Sequence, residues 1–133
     1  MEFNAKLNIA KTKMQSGEFN AERAITYLKK MLRDSKNDEF QDQIYFTMAE
    51  IELENGNEDK ATEYFADAAK NSTVNPEQKA KAFLRLADLS YERENYVMAS
   101  SYYDSTLVVL PKDHERYEEI SDRRIVLTDL VTH

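Results

Sequence analysis

Lys81 and Arg85 lie four residues apart in the stretch "NPEQKAKAFLRLADLSYE". On a helix they fall one turn apart and point the same way. Two such cations are suited to holding an anionic group such as a carboxylate. Little else in the chain has the spacing of reactive chemistry. His114 stands beside a predicted helix start and His133 is the terminal residue, and neither has the partners of a nucleophile–base arrangement. With two glycines there is no glycine-rich loop to cradle phosphate. "IELENGNEDKAT" superficially matches a calcium loop around Gly56, but two ligand slots would fall on Ile51 and Leu53. "NST" at Asn71 has the form of a glycosylation acceptor, a three-residue match that arises by chance. Paired acids are plentiful and serve solvation on exposed helix faces. The absence of cysteine removes disulfides and thiolate metal sites. The expectation is a noncatalytic chain with no metal and no cofactor.

Composition narrows the class further. The chain has 133 residues, 41% hydrophobic and 32% charged, with a net charge of −7. That size suits one domain. A mean hydropathy of −0.73 fits thin helical layers better than a deep globular core. The acidic balance argues against binding nucleic acid or anionic membrane. No apolar run approaches the ~20 residues of a spanning helix. The start, "MEFNAKLNIAK", lacks a signal-peptide apolar stretch. A soluble chain without membrane insertion is expected.

Helical periodicity runs nearly throughout. Phe3, Leu7, Ala10 and Met14 form one stripe, and Ala21, Ala24, Ile25, Leu28, Met31 and Leu32 form a second after Gly17. "RDSKNDE" reads as a polar loop. A third helix is expected from about Phe40 to Glu54, ending at Asn55 and Gly56, and a fourth from near Asn57. Asn75, Pro76 and Gln78 form a helix-start signature. The fifth helix carries Phe83, Leu86, Ala87 and Tyr91, and the sixth runs to Pro111. A seventh begins near Asp113 and carries Tyr117, Ile120 and Leu127. Its end, "RRIVLTDLVTH", holds Ile125, Val126, Leu127, Leu130 and Val131, apolar around much of the circumference. Such a helix either covers the end of a stack or is cut from a longer array. In the second case it would self-associate, giving a homodimer through the C-terminal helix.

The helices come in similar pairs. One pair reads Phe83, Leu86-Ala87, Tyr96, Ala99, Tyr103 and Pro111. The pair before it reads Tyr45, Met48-Ala49, Gly56, Ala61 and Phe65, and the first pair is a degenerate version with Ile9-Ala10, Gly17, Phe19, Ala24 and Leu28. Tyr117 follows Phe83 by 34 residues, Ala61 follows Ala24 by 37, and Ala99 follows Ala61 by 38. Ala61 and Ala99 must be small because the first helix of the pair passes directly over them. Phe65 and Tyr103, one turn on, fill the gap beyond. A single pair cannot bury its apolar face, so pairs must stack.

This order of residues resembles the tetratricopeptide repeat (TPR) from end to end. The resemblance implies an all-α, right-handed α-solenoid of three helix pairs plus a C-terminal helix, seven helices in one domain. The expected divisions are 1–36, 40–73, 75–111 and 113–131. The chain is also similar to TPR tracts of large bacterial cell-envelope lipoproteins of the gliding and secretion type. That favours a fragment of a larger protein in the periplasm or envelope; otherwise a cytoplasmic protein is expected.

The resemblance also implies a protein or peptide partner held on a concave face lined by the first helix of each pair. That face would carry Phe46, Thr47, Glu50, Lys81, Leu84, Arg85, Asp88 and Tyr91, with Glu92, Leu7, Asn8, Glu118, Glu119 and Asp122 extending it. Lys81 and Arg85 match the basic pair that grips a terminal carboxylate in chaperone-binding members. Thr47 stands where those members have Asn, and Asn4 where they have Lys. Glu50, Asp88 and Glu92 would repel an acidic peptide. The expected function is therefore an interaction or scaffold module. The alternatives are a carboxylate-clamp adaptor and an accessory domain of an enzyme.

Overall fold

The computed structural model describes residues 3–132, with Asn4 and Thr132 in backbone only. His133 and the side chain of Asn4, both singled out above, lie outside the described residues. Among these residues there are seven α-helices and no strand. The helices are α1 (Phe3–Gln15), α2 (Ala21–Arg33), α3 (Gln41–Glu54), α4 (Glu58–Asn71), α5 (Pro76–Glu92), α6 (Tyr96–Val109) and α7 (Tyr117–Thr132). They form two compact units, Met1–Asn71 and Ser72–His133.

Two expectations about the connections are corrected. The polar stretch after α2 is not an open loop but a 3-10 helix, Ser35–Phe40. The Asp34 carboxylate accepts from the Lys36 amide at 3.0 Å. Asn37 is buried and donates to the Met31 carbonyl at 3.0 Å, closing the last turn of α2. The second correction is that α7 begins at Tyr117 rather than near Asp113. Residues after Pro111 make consecutive turns, His114 N–H to Pro111 O and Tyr117 N–H to His114 O, both 3.0 Å. The His114 ring accepts from the Arg116 amide at 3.1 Å, a local bond that competes with helix.

The helix ends follow their residues. Asn20, Asn75 and Asn95 each accept, through the side-chain oxygen, an amide three residues on. Pro76 is preset for the first turn of α5. Gly56 ends α3 at φ 81°, with the Asn57 amide on the Glu52 carbonyl at 2.8 Å. The end of α5 repeats this geometry, with Asn95 N–H on Ser90 O at 2.8 Å. Here the left-handed residue is Glu94, at φ 61°.

In the first unit, Leu7 and Ala10 of α1, Ala24, Ile25, Leu28 and Met31 of α2, and Ile44, Met48 and Ile51 of α3 share one core. In the second, Ala80 and Ala87 of α5 meet Ala99 and Tyr103 of α6, Leu110, and Ile120 and Leu127 of α7. Ala49, Ala61, Ala87 and Ala99 are all fully buried, as close helix crossings require. Leu127 must be separated from its apolar neighbours. It is 2% exposed and belongs to the core, whereas Ile125, Val126, Leu130 and Val131 are 41–66% exposed.

Ala99→Leu is expected to overpack the α5–α6 crossing and cost about 1–3 kcal/mol. Ser101→Leu, on the exposed side of α6, is expected to be near neutral. Equal losses in denaturation midpoint would contradict this packing. Glu94→Gly is expected to raise the unfolding free energy by up to about 1 kcal/mol, because glycine adopts the left-handed conformation without a Cβ clash. Gly56→Ala tests the same geometry in reverse. A Cβ there meets nothing within 4 Å, so any loss reflects backbone strain, less the entropy that alanine removes from the unfolded chain, and not a steric contact.

Candidate partner-binding surface

In the second unit, Lys81, Leu84, Arg85, Asp88 and Tyr91 recur at helical spacing along α5. The N-terminal half of this face opens into a groove of about 770 Å³. Ala80, Leu84, Val109, Leu110 and Pro111 give it an apolar lining, with Lys81, Glu77 and His114 among its polar residues. The groove lies where α6 ends at Val109 and the chain turns at Pro111, beside the first turns of α5. Lys81 is exposed, and Leu84 and Arg85 are half-buried. His114 accepts at Nδ1 from the Arg116 amide.

The other half of the face is a polar cluster. The Tyr103 hydroxyl donates to Asp88 Oδ1 at 2.7 Å. Arg123 Nη1 of α7 donates to that hydroxyl at 3.1 Å and lies 3.7 Å from Asp88 Oδ1. Arg116 Nη1 lies 3.8 Å from Asp88 Oδ2, while its Nη2 donates to Glu119 at 3.3 Å. The Arg123 guanidinium also lies over the Tyr91 ring, 4.7 Å from its centroid. Tyr91 meets Tyr96 edge-on at 5.8 Å. Asp88 is therefore matched by two arginines, so the expectation that it repels an acidic peptide is corrected.

Protonation follows from this geometry. Burial pushes the Tyr103 phenol up to about 12, with the Asp88 bond adding to the rise and the Arg123 bond opposing it. The hydrogen bond to Glu119 raises Arg116, and the same bond holds Glu119 below the usual carboxylate value. The hydrogen bond to Tyr103 raises Arg123. The cluster thus keeps a neutral phenol and charged arginines across the physiological range.

In the first unit the expected site residues are placed differently. Phe46 is 5% exposed and packs edge-on against Phe65 at 5.2 Å. Thr47 is buried, and its hydroxyl donates to the Gln43 carbonyl of its own helix at 3.0 Å. Phe46 is an interior residue and offers little side chain to a ligand. Glu50 is half-buried, 4.0 Å from Lys11. It lines a smaller groove of about 310 Å³ with Lys11, Met14, Thr47, Ile51 and Glu54.

Sequence reasoning missed Tyr103, Arg116 and Arg123 as parts of the α5 face, and His114 as part of the groove. The available signal was the seven-residue spacing of Arg116 and Arg123, two turns on one side of a helix. Among the described residues no group of three His, Cys, Asp or Glu could hold a metal ion, and no helix is long and apolar enough to cross a membrane.

A pH titration of stability tests the cluster. Stability is unaffected by Tyr103 ionisation below about pH 10, where the unfolded phenol is neutral. Between 10 and about 12 the unfolded phenol ionises first, and stability falls as pH rises. Tyr103→Phe is expected to be less stable at neutral pH but to fall less steeply in this window. Parallel profiles for the two proteins would contradict the buried phenol.

Comparison with protein families matches residues 2–124 to the SusR N-terminal TPR domain. No curated protein matches the chain. The paired helices, the buried alanines at their crossings and a family match over nearly the whole length agree with one another. The chain belongs to the tetratricopeptide-repeat family, as a SusR N-terminal TPR domain.

Proposed function

We propose that this protein–protein interaction domain binds its partner along α5, with an apolar segment of the partner seated in the groove beside Leu84. The observation that supports this is the lining of that groove, where Ala80, Leu84, Val109 and Leu110 outnumber the charged residues. Interfaces are anchored by apolar and aromatic side chains in desolvated pockets, with charges at the rim. Leu84 is the central anchor and Tyr91 the aromatic one at the far end of α5. Lys81 and Arg85 steer and orient the partner. A carboxylate clamp is the weaker reading, because the hydroxyl of Thr47, which stands where clamp members have Asn, is bonded to its own helix, and Lys81 lies beside an apolar lining. The chain acts without catalysis, as one module of a larger protein. The matched family, described as an N-terminal domain, supports the last point. A bacterial envelope location belongs to the same proposal.

The test starts with the chain as bait, partners being identified by mass spectrometry. The partner is then titrated against Leu84→Glu and Lys81→Ala. Leu84→Glu is expected to weaken binding at least tenfold, about 1.4 kcal/mol. Lys81→Ala is expected to cost less and to reduce the salt dependence. Unchanged affinity in both variants would remove the α5 groove from the interface. A dominant Lys81 effect, erased by salt, would favour the carboxylate reading.

A further inference from the structure

The charge of the first unit is divided between its helix pairs. Residues 3–33, which hold α1 and α2, carry seven Lys or Arg and two acids, a net charge of +5. Residues 34–71 carry three cations and eleven acids, a net charge of −8. A basic pair thus stands in a chain whose total is −7, and the total conceals it.

Three of these cations gather around two aromatic rings. Arg23, Tyr27 and Lys30 are spaced four and three apart, so they share one side of α2. A groove of about 430 Å³ follows that side, lined by Phe19, Arg23, Thr26, Tyr27 and Lys30, with Glu22 as its acid. Phe19 and Tyr27 are half-buried, with 6.0 Å between ring centroids. Lys13 Nζ and the Arg23 guanidinium lie 5.1 and 5.0 Å from the Phe19 centroid. A contact with a ring leaves the cation its charge, so both can still meet an anion. Lys13 also stands 3.7 Å from Glu18, an exposed pair that contributes little. Arg23 and Lys30 are exposed.

The same register in α4 shows that a preceding pair does not close this side of a second helix. Counted from Ala61 as from Ala24, it falls on Lys60, Tyr64 and Asp67. α4 follows the pair α1–α2 in its own unit. Even so, Lys60 is exposed, and Tyr64 and Asp67 are only half-buried.

We propose that this side of α2 is an interaction surface for a short acidic segment of a partner protein, one that carries an aromatic residue. The carboxylates of the segment meet Lys13, Arg23 and Lys30, and its ring packs against Phe19 and Tyr27. Charge complementarity selects the acids, and the two half-buried rings select an aromatic side chain. A nucleic acid or an anionic membrane fits less well. Its charge extends beyond α2, which is about 20 Å long, and would meet the acids of residues 34–71. The surface belongs to the first unit and is separate from the α5 groove of the second.

The probe is a labelled synthetic peptide of alternating Glu and Ser around one central Phe. Fluorescence anisotropy follows its binding to the whole chain and to three variants, Arg23→Ala/Lys30→Ala, Lys60→Ala/Lys70→Ala and Leu84→Glu. Saturable binding is expected, weakening with salt. It is expected to be at least tenfold weaker with Arg23→Ala/Lys30→Ala and little changed with the other two. A peptide with Ser for the central Phe is expected to bind at least tenfold more weakly than the parent. Arg23 and Lys30 are exposed and alanine favours helix, so that variant keeps the fold, which circular dichroism checks. Absence of saturable binding overturns the proposal, as does equal affinity of the two peptides. Equal losses in the two double-alanine variants would make net charge alone responsible, and overturn it. Loss with Leu84→Glu but not with Arg23→Ala/Lys30→Ala overturns it too, and would leave the α5 reading standing. A thymidine oligonucleotide or phosphatidylglycerol vesicles that bind more tightly than the peptide, and through Arg23 and Lys30, would assign the surface to another class of anion and overturn it as well.

Discussion

The fold of each pair depends on two helices approaching closely at an alanine. Ala99 lies under α5 beside Ala87, and none of either side chain is exposed. Helix axes come within about 8–10 Å only where the facing side chains permit it. Tyr103 follows one turn on along the same face, so its ring is driven into the core and is fully buried. A buried phenol needs a partner for its hydroxyl. Asp88 on α5 provides it, and a half-buried carboxylate needs cations in turn. Arg116 and Arg123 supply them and, with Ile120 and Leu127, tie α7 to the pair. One small residue thus sets off the sequence of contacts that places the last helix.

These ion pairs are not a large store of stability. Their side chains are about one-third exposed, and exposed pairs contribute little once solvent screening and side-chain entropy are counted. Their effect is on orientation. Arg123 lies over Tyr91 and Tyr96 meets the same ring edge-on, so the aromatic end of the α5 face is held in one position. Ordering Tyr91 before a ligand arrives lowers the entropy cost of binding.

The architecture was legible in the sequence because its constraints are local and repeated. Ala61 and Ala99 recur at near-constant period, and Asn75 with Pro76 marks a helix start without tertiary information. Features set by a distant neighbour were hidden. The family resemblance placed Phe46 and Thr47 on the expected ligand face but could not show that both would be buried. Leu127 looked like Ile125 and Val126 because a helix apolar on several sides does not show which side is packed. The 3-10 helix at Ser35–Phe40 was missed because its support, the Asn37 side chain on Met31 O, lies six residues away and has no periodic signature. Glu94 hid its left-handed conformation because that geometry normally selects glycine.

The polar cluster also bears on what the α5 face can recognise. Arg123 is shared among the Tyr103 hydroxyl, Asp88 and the Tyr91 ring. A ligand carboxylate that drew Arg123 away would leave that hydroxyl with one fewer partner and Asp88 with one fewer cation. Such a ligand would exchange contacts Arg123 already makes for a new one, which limits the net gain from an anionic group at this end of α5. At the other end an apolar side chain would meet Leu84, Val109 and Leu110, where burying apolar surface is favourable. Under the proposed reading, the two ends favour a partner read chiefly through its apolar side chains, with charge governing approach more than affinity.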